Sequence, residues 1–143
     1  MMTRRHLLRD EDGVAAIEMA FSLPILILMI WMFVQLAEVY RALAGIQQAL
    51  GEGARYATLC LNPSNLGCET PTATQIQTKI NDSVYGIGPG VFTVPLPTAG
   101  NDGGTGNYFD LNVSYTQHTS LLLLPGPDIS VSRSKRVWVA TSS

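Results

Sequence analysis

Charge is the scarcest resource in this chain of 143 residues, where Asp, Glu, Lys and Arg together make up only 14%. An ordinary soluble domain carries roughly 25%, so part of the chain is expected to be solvated by something other than water. A basic excess is missing too. Nine Lys and Arg stand against eleven Asp and Glu, for a formal net charge of −2. Nothing there can track a phosphate backbone, which excludes nucleic acid as a main partner. Cysteine is limited to Cys60 and Cys68, and histidine to His6 and His118. Without a second cysteine pair, and with the histidines on opposite sides of a long apolar run, a zinc site has no ligand set. The spacing of the cysteines is also wider than a dithiol redox motif uses. Carboxylates are scattered and no Ser or Cys sits in a nucleophile setting, so neither an enzyme nor a cofactor is expected.

What the chain does have is hydrocarbon. From Met19 to Val34 no residue is charged, and only Ser22 and Pro24 interrupt the apolar character. Taken as a helix, Val14 to Ala37 would be about 36 Å long at about 1.5 Å per residue, enough to cross a hydrocarbon core of roughly 30 Å with some tilt. Pro24 should kink it, because the ring removes a hydrogen bond and clashes with the carbonyl of Ala20. Arg4, Arg5 and Arg9 precede the run, whereas Arg41 stands alone beyond it. That asymmetry predicts a single-pass protein of the inner membrane, N-terminus cytoplasmic and C-terminal part periplasmic. A secretory signal peptide also has a basic start and an apolar core. Against it stand the acidic Asp10-Glu11-Asp12, the length of the run, and Ala42-Leu43-Ala44 as the nearest exit site, inside a helical pattern.

One carboxylate, Glu18, lies near the entrance of the span. An ionised side chain at bilayer depth costs roughly 2.5–3.5 kcal/mol on the mildest scales, so Glu18 needs a partner, a proton, or reach to headgroup water. Were the chain cut after Gly13, Val14 would present a new ammonium, and the amine of one subunit would pair with Glu18 of another. In low dielectric such pairing penalises wrong registers. A peptidase reading an extended backbone at the membrane face needs a residue without a side chain before the scissile bond, which Gly13 supplies. The plainer reading makes Gly13 a punctuation of the helix start, with Asp12 or Asp10 as its cap.

The short basic leader, Gly13, Glu18 at the fifth position after it and the apolar helix together resemble the N-terminus of type IV pilins. More narrowly, Gly13-Val-Ala-Ala-Ile-Glu-Met-Ala-Phe-Ser-Leu-Pro-Ile-Leu is similar to a TadE-like minor pseudopilin of the tight-adherence (Flp) pilus, and Gly53-Ala-Arg-Tyr-Ala57 resembles a later segment of that family's first helix. Met19 departs from the family, many members of which have Phe or Tyr there. The resemblance covers roughly residues 10 to 60. It implies cleavage by a prepilin peptidase between Gly13 and Val14, a role for Glu18 in pilus assembly, and other pilins and the inner-membrane pilus machinery as partners.

Beyond the membrane the helix is expected to continue. Val39, Leu43, Ile46, Leu50 and Ala54 recur at spacings of one turn and mark a greasy stripe that packs on the chain's own domain. Glu38 with Arg41, and Glu52 with Arg55, are spaced to pair on the polar side. Gly45, Gly51 and Gly53 each weaken the helix by up to about 1 kcal/mol against Ala. In an oxidising periplasm Cys60 and Cys68 would form a disulfide closing a small loop, a contribution of about 2.5 kcal/mol by chain entropy. Thr70-Pro71 opens a short helix with Pro at its first position and Ala73, Ile76, Ile80 and Val84 on one face. Val91 to Leu96 reads as an edge strand because of Pro95. Pro97 to Asn107 reads as a connector lacking the residues of a phosphate or calcium loop. Phe109, Leu111, Val113 and Tyr115 alternate with polar residues in a strand, and Ile129 to Thr141 forms another. In the latter, Arg133 and Lys135 share a face with Ile129, Val131, Val137 and Val139, which predicts a bulge. The leucines Leu121 to Leu124 read first as a cap on the core and, if exposed, as a docking patch for another pilin or the membrane.

The whole is an α+β chain, a long N-terminal membrane-spanning pilin-like helix followed by a small antiparallel sheet domain. Its expected parts are a prepilin-type leader (1–13), a long helix (14–58, membrane part about 14–37 and amphipathic part about 38–58) and a small periplasmic domain (59–143). The function expected is that of a minor pseudopilin for pilus assembly. A permanently anchored periplasmic scaffold or binding protein, or a structural filament subunit, is the alternative.

Overall fold

A computed structural model describes residues 11–64, 67–104, 106–120 and 124–139, apart from the side chains of residues 11–12 and 62–68. The leader up to Asp10, Leu121–Leu123 and the end of the chain from residue 140 lie outside the described residues. A single helix, α1 (Glu11–Ala57), runs for 47 residues without a break at Pro24. Among the described residues its stretch Gly13–Ala57 is the one helix long and apolar enough to cross a membrane, by length and composition. From Gly13 to Val34 every residue is exposed, and the first buried one is Val39.

The chain then forms a hairpin of β1 (Asn62–Ser64) and β2 (Gly67–Glu69), a second helix α2 (Ala73–Val84), and four strands: β3 (Val91–Thr93), β4 (Thr98–Asn101), β5 (Asn107–Ser120) and β6 (Pro125–Val139). β5 is the spine of the main sheet. β6 pairs along nearly its whole length, from Asn107↔Val139 to Ser120↔Pro125, and β3 and β4 share its other side in succession. All pairings are antiparallel.

Several local expectations need correction. α2 begins at Ala73, not Pro71: Thr72 is the N-cap and forms a capping box with Gln75. Pro71 and Ile76, the positions of a hydrophobic staple around that cap, are both fully buried. The predicted face holds at Ile76, Ile80 and Val84. The presumed connector after Pro97 contains β4, which exists through its pairing with Tyr108, Phe109 and Asp110 rather than through β propensity. A Cβ on Gly100 would fall 2.4 Å from the Tyr108 ring, so this strand runs there because the position is bare. No bulge separates the halves of β6; the irregularity lies near the turn, between His118 and Ser120. Arg133 and Lys135 stay in register opposite Val113 and Leu111 and remain exposed because β6 is the sheet's edge. Charges pointing inward from a long edge strand also discourage pairing with another chain.

The core lies where α1, α2 and the sheet meet. Leu111, Val113, Tyr115 and Val137 from the sheet and Ile76, Ile80 and Val84 from α2 close over α1. The stripe of α1 is richer in alanine than the apolar spacing indicates: Ala42, Ile46, Ala49, Leu50, Ala54 and Ala57 are buried, while Leu43 is half-buried. Small residues let the neighbours come close. A Cβ on Gly53 would sit 2.5 Å from Ile80 Cγ1, and one on Gly45 2.8 Å from Ile87 Cδ1, whereas Gly51 faces open space. Two of the three glycines that weaken the helix are therefore what brings α2 and the turn after it against α1. The proposed charge pairs on α1 do not form: Glu52 accepts from the Ser83 hydroxyl at 3.0 Å, and Glu38 Oε2 is buried without a hydrogen-bond partner.

Candidate functional site on the N-terminal helix

The membrane part of α1 carries three features that chemistry can use. The first is Gly13, which is helical here, within the first turn of α1. A Cβ at Gly13 would meet nothing within 4 Å. Neither packing nor helix punctuation asks for glycine at this position. A peptidase that reads an extended strand would have to unwind this first turn, and glycine lowers that cost.

The second is Glu18. Its side chain is exposed on the apolar face of α1, and no ion pair to it occurs among the described residues. Its carbonyl accepts from the Ser22 hydroxyl at 2.7 Å. Ser22 thus ties back to Glu18, four residues earlier, and does not relieve the carbonyl of Ala20 that Pro24 deprives of a donor. Val14, immediately after Gly13, stands one turn before Glu18 and is exposed.

The third was not legible in the sequence. Gln35, the polar residue near the outer end of the apolar run, holds the end of β5. Its Nε2 donates to the Ser120 carbonyl, and Ser120 N–H donates to its Oε1 at 3.0 Å. Trp31 Nε1 donates to the same carbonyl at 2.9 Å. Trp31 is thus a contact within the chain as well as an aromatic at membrane depth, and Tyr40 is the exposed aromatic beyond it.

Further out, the cysteines sit at the β1–β2 hairpin. Leu61 N–H donates to the Glu69 carbonyl at 2.9 Å, which brings the neighbours of both cysteines side by side. Cys60 is not a free thiol. The side chain of Cys68 lies outside the described residues. On the outer face of the sheet, Arg136 donates to both oxygens of Asp110, at 2.8 and 2.9 Å, and lies 4.0 Å over the Tyr108 ring. That hydrogen-bonded guanidinium holds the Asp110 carboxyl below the usual carboxylate range.

Compared with known families, residues 13–55 match the model of the TadE-like protein family. The matched segment runs from Gly13 through Glu18 and nearly to the end of α1. No curated protein and no solved structure matches the chain.

Proposed function

We propose, for a chain whose residues 13–55 carry a TadE-like helix, that it is a minor pseudopilin of a tight-adherence pilus system. It is a non-enzymatic assembly component of the inner membrane, crossing once with the arginine-flanked N-terminus in the cytoplasm and the sheet domain in the periplasm. A prepilin peptidase cuts between Gly13 and Val14. The ammonium released on Val14 then pairs with Glu18 of a neighbouring pilin as the apolar helices stack, and Cys60 and Cys68 form a disulfide in the periplasm. Prepilin peptidase, other pilins and the membrane pilus machinery are its partners.

The observation that carries this reading is Glu18, a carboxylate exposed on an apolar helix with no ion pair among the described residues. Such a group at bilayer depth needs a partner, a proton or reach to headgroup water, and the pseudopilin reading supplies the partner from a neighbouring subunit. Gly13 supports it, since packing gives no reason for a bare position there. Residues Gly13 to Val34 are all exposed in the fold, and those before Met29 meet neither the hairpin nor its groove, which leaves their surface for lipid or for other helices.

Substituting Glu18 tests the reading. Pilus assembly is expected to be lost with Glu18→Gln and with Glu18→Leu, while the protein still accumulates in the membrane. Undiminished assembly with both variants would point instead to a permanently anchored periplasmic scaffold in which the carboxylate is incidental.

A further inference from the structure

β5 runs back towards the membrane. Leu111 packs beside Gly53 in the outer half of α1, and Ser120 is bonded to Gln35 at the edge of the apolar run. The two paths agree in length: Leu111 to Ser120 rises about 30 Å along a strand, and Gly53 to Gln35 about 27 Å along a helix. Ser120, the last residue of β5, therefore lies level with Trp31 and Gln35, and Trp31 lies about 9 Å below Ala37 at helical rise. Elements that lie in a membrane interface bury to about 5–10 Å.

We propose that β5 at Ser120 and β6 at Pro127 and Ile129 enter the outer leaflet beside α1, and that lipid acyl chains fill the groove between these strands and the helix. Backbone can go to that depth only if its polar groups are satisfied within the protein. Gln35 takes both the N–H and the carbonyl of Ser120, and Trp31 adds a second donor to that carbonyl. The groove, about 440 Å³, is lined mainly by apolar side chains, Met29, Met32, Phe33 and Leu36 of α1 and Pro127 and Ile129 of β6, with Gln35 and Thr119 as its polar members. It is continuous with the uncovered face of α1, whose surroundings in the span are hydrocarbon, and this continuity selects acyl chains as occupant. Leu124, immediately before β6, is 66% exposed in the same region. His118 Nδ1 meets Asp128 Oδ1 across the strands on the domain side of Ser120, a polar pair placed where headgroups begin.

The test reads depth directly. The full chain carrying Leu124→Trp and Trp138→Phe, beside the same chain with Leu124 kept, is reconstituted in phosphatidylcholine vesicles with and without brominated acyl chains. The difference between the two chains is the emission read. Blue-shifted emission that the brominated lipid largely removes is expected. Adding Gln35→Leu should restore much of that emission, because Ser120 then lacks its partner. Emission untouched by brominated lipid overturns the proposal, whether it is water-like or blue-shifted by a second copy covering the groove. Vesicle flotation of the same samples reports whether α1 still anchors the chain. An anchored but unquenched protein thus refutes this inference and leaves the membrane span and the pseudopilin reading standing.

Discussion

Tyr115 and Asp110 lie on the same strand and represent opposite situations. Tyr115 is fully buried, with its hydroxyl donating to Gln117 Oε1 at 2.9 Å and accepting from Gly90 N–H at 3.0 Å, and its ring 4.6 Å from that of Phe92. Tyr115→Phe leaves the Gly90 N–H and the buried Gln117 without a partner, and should lower unfolding free energy by about 1–3 kcal/mol in a denaturant titration. Asp110 is held by Arg136 on the open face of the sheet. Because its carboxyl titrates lower folded than unfolded, the pair's small contribution is present above the ordinary carboxylate range and is lost as pH falls through the lowered value. A carboxyl-carbon NMR titration should find the Asp110 midpoint below that of an ordinary aspartate, and Arg136→Gln should return it upwards.

At the level of elements, the close approach of α2 to α1 turns on two glycines that sequence reading counts only as helix weaknesses. Gly53→Ala gains about 1 kcal/mol of helix propensity but drives a Cβ into Ile80, and overpacking costs typically 1–3 kcal/mol. It is expected to destabilise the domain. Gly51→Ala, facing open space, should stabilise it by about 0.5–1 kcal/mol, and thermal unfolding of the two variants side by side checks the contrast. The same contrast explains how much of the fold could be read in advance. α1, α2 and β5 were legible because each carries its own periodicity, an unbroken apolar run, a one-turn stripe or a strict alternation. β4 was not, since Thr98-Ala-Gly-Asn101 has no strand signal of its own and owes its conformation to β5. Arg133 and Lys135 pointed to a bulge because alternation cannot tell an edge strand from a distorted one. Of the candidate site, Gly13 and Glu18 were legible from spacing within one helix, but Gln35 and Ser120, 85 positions apart, announce nothing until the hairpin is folded back.

The whole molecule is a long helix whose inner part is bare and whose outer part is the floor of a small α+β domain. The two parts are solvated differently, which accounts for the low charge content that the totals register. The domain is not hung on the end of the helix; it packs along it from Val39 to Ala57 and reaches back as far as Trp31. That leaves the inner stretch free for lateral packing with other helices, and the pseudopilin reading assigns it that use. In this account Glu18 acts only if its counter-charge exists, and the counter-charge exists only if Val14 becomes the first residue. The most direct measurement is the intact mass of the protein extracted from membranes of cells that contain the prepilin peptidase, beside a Gly13→Leu variant. The account predicts a wild-type chain beginning at Val14 and a variant that retains residues 1–13. A wild-type mass that still includes those residues would contradict it.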